Sequence, residues 1–226
     1  MTLLEHLAEL RTRIMIAGIA TAIGMALAAG FLTRPVMEIL SIPAGSSLVA
    51  LRPTESFVIY FKIALVIGAA LAMPVIISQI ILFVLPALHV HERRYLVLGV
   101  PAITVAFVIG LAFGYFMVVP SAIHFLLGFS SDLIQPNWSA EEYFDFVASL
   151  LFWIGVSFET PLLLFFLAKI GVVTAKQLSG MRKFALIGAF VIGAMITPTP
   201  DPFNQTLVSV PIYLLYELGI LLARLA

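Results

Sequence analysis

Pro86-Ala-Leu-His-Val-His-Glu-Arg-Arg94 is the most charged stretch between two long apolar runs of the chain. Its last six residues hold two histidines, one carboxylate and two guanidiniums. Charge at that density is too costly to bury in hydrocarbon, so the stretch reads as a short water-exposed connection between two membrane-spanning helices. The rest of the composition agrees. Of the residues, 62% are hydrophobic and 11% charged, with a mean hydropathy of +1.14, whereas soluble domains carry about 25% charged residues. Residues 1–226 therefore read as a single integral membrane domain. Lys plus Arg and Asp plus Glu are both 12, so net charge points to no nucleic-acid partner, and only the position of each charge is informative. The absence of cysteine excludes thiolate chemistry, disulfides and Cys-ligated metals.

Outward from the charged turn, the sequence predicts an all-α, polytopic fold with six transmembrane helices over about 14–33, 57–85, 95–119, 144–167, 184–196 and 206–222. The last two are short, which implies local bilayer thinning or shelter by neighbours. Before the first span, Leu3, Leu7 and Leu10 recur at helical spacing with Glu5, Glu9 and Arg13 on another face. That pattern predicts a short amphipathic helix at the membrane surface. Glu9 precedes Arg13 by four residues, the orientation that favours a helical ion pair. Small residues recur every four positions in several spans: Gly18, Ala22, Ala26 and Gly30; Ala64, Gly68 and Ala72; Ala106, Gly110 and Gly114; Ala185, Ala189 and Gly193. They predict close helix packing without singling out a partner site. Residues 34–54, with Pro35, Pro43, Gly45 and Pro53, are expected to turn rather than continue a helix. Pro74 is expected to kink the second span and Pro120 to end the third.

Six spans return both termini, and the turns after spans 2 and 4, to one side. That side carries Arg11, Arg13, Arg93, Arg94, Lys176, Arg182, Lys183 and Arg224, against Arg34 and Arg52 on the other. The positive-inside rule then places both termini in the cytoplasm. Glu9 and Glu92 share that face. Two carboxylates there suit a peptide bearing two cations, because a carboxylate can grip a guanidinium through two hydrogen bonds. Glu159, inside the fourth span and followed by Pro161, is a functional candidate by its depth alone, with a buried structural acid as the plainer reading. Asp201 and Gln205 are the polar members of a proline-rich turn, read equally as turn chemistry or as function.

Four motifs in order, His6-Leu-Ala-Glu-Leu-Arg11, Phe83-Val-Leu-Pro-Ala-Leu-His-Val-His-Glu-Arg-Arg94, Gly155-Val-Ser-Phe-Glu159 and Thr197-Pro-Thr-Pro-Asp-Pro-Phe-Asn-Gln205, resemble the TatC family, the receptor subunit of the twin-arginine protein translocase. The resemblance covers essentially the whole chain. It implies that Glu9 and Glu92 bind the paired arginines of a signal peptide, with Arg11, Phe83 and Leu88 shaping that surface. It implies that Pro43 belongs to a periplasmic cap and that Glu159 faces an intramembrane concavity. Asp201 and Gln205 would support the end of span 5, where TatA-type and TatB-type single-span subunits dock. Self-association, export of folded proteins driven by the proton-motive force, and residence in the inner membrane of a prokaryote follow from the same resemblance, with no cofactor.

Two other classes compete with this reading. A proton-coupled secondary transporter could use Glu159, but the spans show no internal repeat. An intramembrane enzyme is not expected: His91-Glu-Arg-Arg-Tyr lacks the second histidine of a zinc helix, and no serine lies in a Gly-x-Ser-x-Gly setting.

Overall fold

The computed structural model describes residues 3–45, 48–84, 93–128, 138–197 and 202–226. Glu92, Leu88 and Asp201 lie outside the described residues. The chain begins as one unbroken helical rod: α1 (Leu3–Leu27), a π-helical segment (Ala28–Leu32), α2 (Thr33–Ser41) and a 3-10 turn (Ile42–Ala44). The amphipathic N-terminal stretch is thus the start of α1 rather than a separate surface helix. The connection expected over 34–54 stays helical through Ala44. At about 1.5 Å per residue, the 40 residues of Glu5–Ala44 far exceed a ~30 Å hydrocarbon core.

α3 (Glu55–Val84) contains Pro74 without ending there. α4 (Arg93–Phe113), a second π segment (Gly114–Val118) and α5 (Val119–Gly128) again run together, so the third span continues past Pro120. Both corrections have one physical cause. Each π segment closes with a bond that spans five residues, Thr33 N–H to Ala28 and Val119 N–H to Gly114. The wide turn shifts the preceding carbonyls just before Pro35 and Pro120. Each proline then falls in the first turn of a new α-helix, where its missing N–H costs little.

α6 (Ala140–Lys169), α7 (Ala175–Gly180), α8 (Arg182–Ile196) and α9 (Pro202–Ala223) complete the described chain. α7 lies where the sequence predicts only a turn; Thr174 and Gln177 start it with a reciprocal capping box. α8 has only 15 residues. α9 has 22 and is long enough to cross a bilayer, because Pro202 opens it inside the preceding turn.

α6 is the centre of the bundle, packing on α9, α4 and α3, while α1 lies on α3 and α8 on α9. Its Tyr143, Val147, Leu150 and Ile154 are buried together with Ile59 and Ile63 of α3 and Val208 of α9. Between apolar helices in lipid, close approach replaces the hydrophobic drive. Gly24 and Gly68 supply it, since a Cβ on either would strike the backbone of the opposite helix. Gly110 against Gly155, and Gly193 against Ser209, do the same for the α4–α6 and α8–α9 pairs. One small-residue stripe behaves otherwise: Gly18, Ala22, Ala26 and Gly30 are not buried, and nothing lies near Gly18 or Gly30. Gly24 and Ala28 form the buried face of the rod instead.

Candidate functional site

At the N-terminal end of α1, Glu9 and Arg13 form the expected pair, Nη2 donating to Oε1 at 3.0 Å. Two further contacts bind this end of α1 to the end of α3. Arg13 Nη1 donates to Gln79 Oε1 at 3.1 Å, and the His6 and Phe83 rings stack with centroids 4.5 Å apart. Of the residues assigned to a peptide surface, Glu9 and Phe83 are therefore brought to one end of the α1–α3 pair. Arg11 is exposed, and two positions along a helix turn it about 200° away from Glu9. Among the described residues nothing donates to the buried Glu9 Oε2. An acceptor held in that state is ready for a cationic donor.

Glu159 lies on α6, ten residues before Lys169, which is about 15 Å along the axis. It is 3% exposed, enclosed between helices, and its Oε1 has no donor among the described residues. Packing nearby is tight: a Cβ on Gly219 of α9 would meet Pro161 and Leu164. A carboxyl group so placed is costly unless it is protonated or finds a donor from elsewhere.

Gln205, in the first turns of α9, reaches across to α8, where its Nε2 donates to the Phe190 carbonyl at 3.1 Å. A shallow groove of about 550 Å³ opens beside it, lined by Leu186, Ile187, Phe190, Val191, Ala194 and Met195 of α8. Met195 is 82% exposed. Ser209 donates to the Gln205 carbonyl and fills the place where a side chain at position 193 would go, which is why glycine stands there.

The far end of the N-terminal rod, α2 and its 3-10 turn, meets the start of α3 at the other end of the bundle. Pro43 has no N–H for the Ile39 carbonyl one turn earlier; that carbonyl accepts instead from the Ile42 N–H and from the Tyr115 hydroxyl, the latter at 2.9 Å. The Tyr143 hydroxyl donates to the neighbouring Leu40 carbonyl at 2.7 Å. Val49 N–H pairs with the Trp138 carbonyl, and Ala140 N–H with the Val49 carbonyl. Beneath them sits Glu55, 2% exposed. Its Oε2 accepts from the Leu51 and Arg52 amides, and its Oε1 from the Glu141 amide and the Ser139 hydroxyl. Ser139 stands at the N-cap of α6 without capping its own helix; Glu55 caps it from another. Lys62 then bridges Glu141 and Asp145 at 2.9 and 2.8 Å.

The family model for the Sec-independent protein translocase protein TatC matches residues 5–211. The chain belongs to the TatC family. It is 42% identical to the Sec-independent protein translocase protein TatC of Aquifex aeolicus (strain VF5), over all of this chain and 96% of that one. It is 37% identical to the TatC of Synechocystis sp., again over all of this chain and 89% of the relative. A crystal structure of the twin-arginine translocase receptor TatC superposes with a TM-score of 0.86 at 41% identity, covering 97% of this chain and 98% of that one. As a TatC-family protein with several membrane-crossing helices, the chain is a multi-pass membrane component of the twin-arginine translocase.

Within this TatC-family fold, sequence reasoning missed Glu55, Ser139 and the Lys62 bridge. Glu55 follows Pro53-Thr54 at the start of an apolar run, a helix-start signal, but no local pattern says that it also caps α6. The partners lie 84 and 86 positions away.

Proposed function

We propose that this chain is the receptor and core subunit of a twin-arginine translocase. It binds twin-arginine signal peptides through Glu9 and Glu92, with Arg11, Phe83 and Leu88 around them. It assembles with TatA-type and TatB-type single-span subunits and with further copies of itself, and exports folded proteins using the proton-motive force. Both termini face the cytoplasm of a prokaryote, in whose inner membrane it sits. The observation that carries the reading is the tie of the Glu9 end of α1 to the end of α3, through Arg13, which bonds both Glu9 and Gln79, and through the His6–Phe83 stack. In the sequence, Glu92 follows that end by eight residues and directly precedes Arg93, the first residue of α4. The exposed apolar face of the short α8, with Gln205 at one end, supports docking of a single apolar helix, and Asp201 is proposed from the sequence to belong to the same site.

Photo-crosslinking tests the receptor role. A twin-arginine peptide carrying a photoreactive group is expected to label positions around Glu9, Phe83 and Glu92, and its twin-lysine counterpart to label them weakly. Equal labelling by the two would count against it. Glu159 serves a later step, because it is enclosed and remote from the peptide surface. Glu159→Ala should keep peptide affinity within about two-fold of wild type while transport into inverted membrane vesicles falls at least about ten-fold. Loss at the binding step would move Glu159 into the receptor site. Family membership does not favour the small-solute transporter built on the same residue.

A further inference from the structure

We propose that Arg13 is a resident stand-in for a signal-peptide guanidinium, occupying Glu9 in the empty receptor, and that Gln79 is the acceptor that keeps Arg13 when the peptide displaces it. The inference rests on the receptor reading of Glu9 given above. An arginine and a carboxylate left to themselves favour a two-bond fork, and this pair does not make one. Arg13 is stretched between two acceptors on different helices, one nitrogen on Glu9 Oε1 at 3.0 Å and the other on Gln79 Oε1 at 3.1 Å. The cost is visible on both sides: Glu9 Oε2 and Arg13 Nε are buried and have no partner among the described residues. Gln79 is oriented for its part, its Nε2 donating to Ser78 Oγ at 3.3 Å so that its carbonyl oxygen faces Arg13.

A peptide guanidinium can present its whole fork to Glu9 and satisfy Oε2, which Arg13 leaves unsatisfied. Arg13 released from Glu9 still has Gln79, so the exchange leaves no cation stranded. A resident competitor lowers apparent affinity by the fraction of receptor whose Glu9 is open. For a partly exposed helical ion pair that factor is roughly two- to five-fold. Because the competitor acts on the empty receptor, it weakens every peptide by the same factor.

The test titrates the full-length chain in detergent with fluorescent twin-arginine and twin-lysine signal peptides. Arg13→Leu and Gln79→Glu should both tighten binding about two- to five-fold, the first by removing the competitor and the second by drawing it away. Gln79→Leu should weaken binding. The ratio between the two peptides should not move. Gln79→Glu keeps the arginine in place, so the test survives if Arg13→Leu does not fold. Weaker binding by Gln79→Glu, or a changed peptide ratio in either tightening variant, overturns the inference and makes Arg13 a direct peptide contact. Glu9→Gln separates the two levels: wild-type affinity in that variant would overturn the receptor reading itself, whereas its loss beside unchanged Arg13→Leu and Gln79→Glu affinities overturns the stand-in alone.

Discussion

Glu9→Arg is expected to lower affinity for a twin-arginine signal peptide by at least about 100-fold, and Glu92→Arg by a similar factor, with the helical fold retained in both. Removing one partner of a hydrogen-bonded charge pair costs about 2–5 kcal/mol, and a reversed charge adds repulsion to the loss. The fold should tolerate the change at Glu9. Arg13 keeps its bond to Gln79, and the His6–Phe83 stack still ties α1 to α3. Peptide titration in detergent, with circular dichroism and gel filtration on the same samples, separates lost binding from lost structure. Wild-type affinity in both variants would remove the two-carboxylate receptor.

The second large effect concerns the other end of the bundle. Glu55→Ala leaves four donors without their acceptor: the Leu51, Arg52 and Glu141 amides and the Ser139 hydroxyl. Buried donors that lose a charged acceptor are expensive, and here they belong to two separate segments, the loop before α3 and the start of α6. The melting temperature in detergent should fall by roughly 5–10 °C. Hydrogen exchange should rise in the amides of residues 49–52 and 139–141 while the helix centres stay protected. Glu55→Gln, which keeps one oxygen, should fall by less. An unchanged melting temperature in the alanine variant would show that the Val49–Ser139 bridge and Lys62 hold the cap without Glu55.

Much of the architecture was legible because it depends on sums along the chain. Hydropathy marks the apolar helices, and the charged turns mark where they end. The shortness of α8 follows from Lys183 on one side and Thr197-Pro on the other. The Glu9–Arg13 pair was legible because it spans one helical turn. Prolines misled in two places. Pro35 and Pro120 look like helix ends, and only the π segments before them keep the rod and the third span continuous. The small-residue stripes misled in one. Four-residue spacing identifies a face along which a helix could approach, and α3 approaches α1 along Gly24 and Ala28 rather than along Gly18, Ala22, Ala26 and Gly30.

By itself the sequence determined that this is an all-helical membrane protein, that its charged turns and an intramembrane glutamate are the places to look, and that four ordered motifs resemble the TatC family. These are properties of neighbouring residues, of composition and of order, and they do not depend on how helices cross. Only the tertiary structure decided that Gln79 shares Arg13 with Glu9 across 66 positions, that Glu159 is enclosed, and that Glu55 caps α6. Each of those depends on which face of one helix meets which face of another. Close backbone approach at a few glycines and donors seeking acceptors in a medium without water settle that meeting.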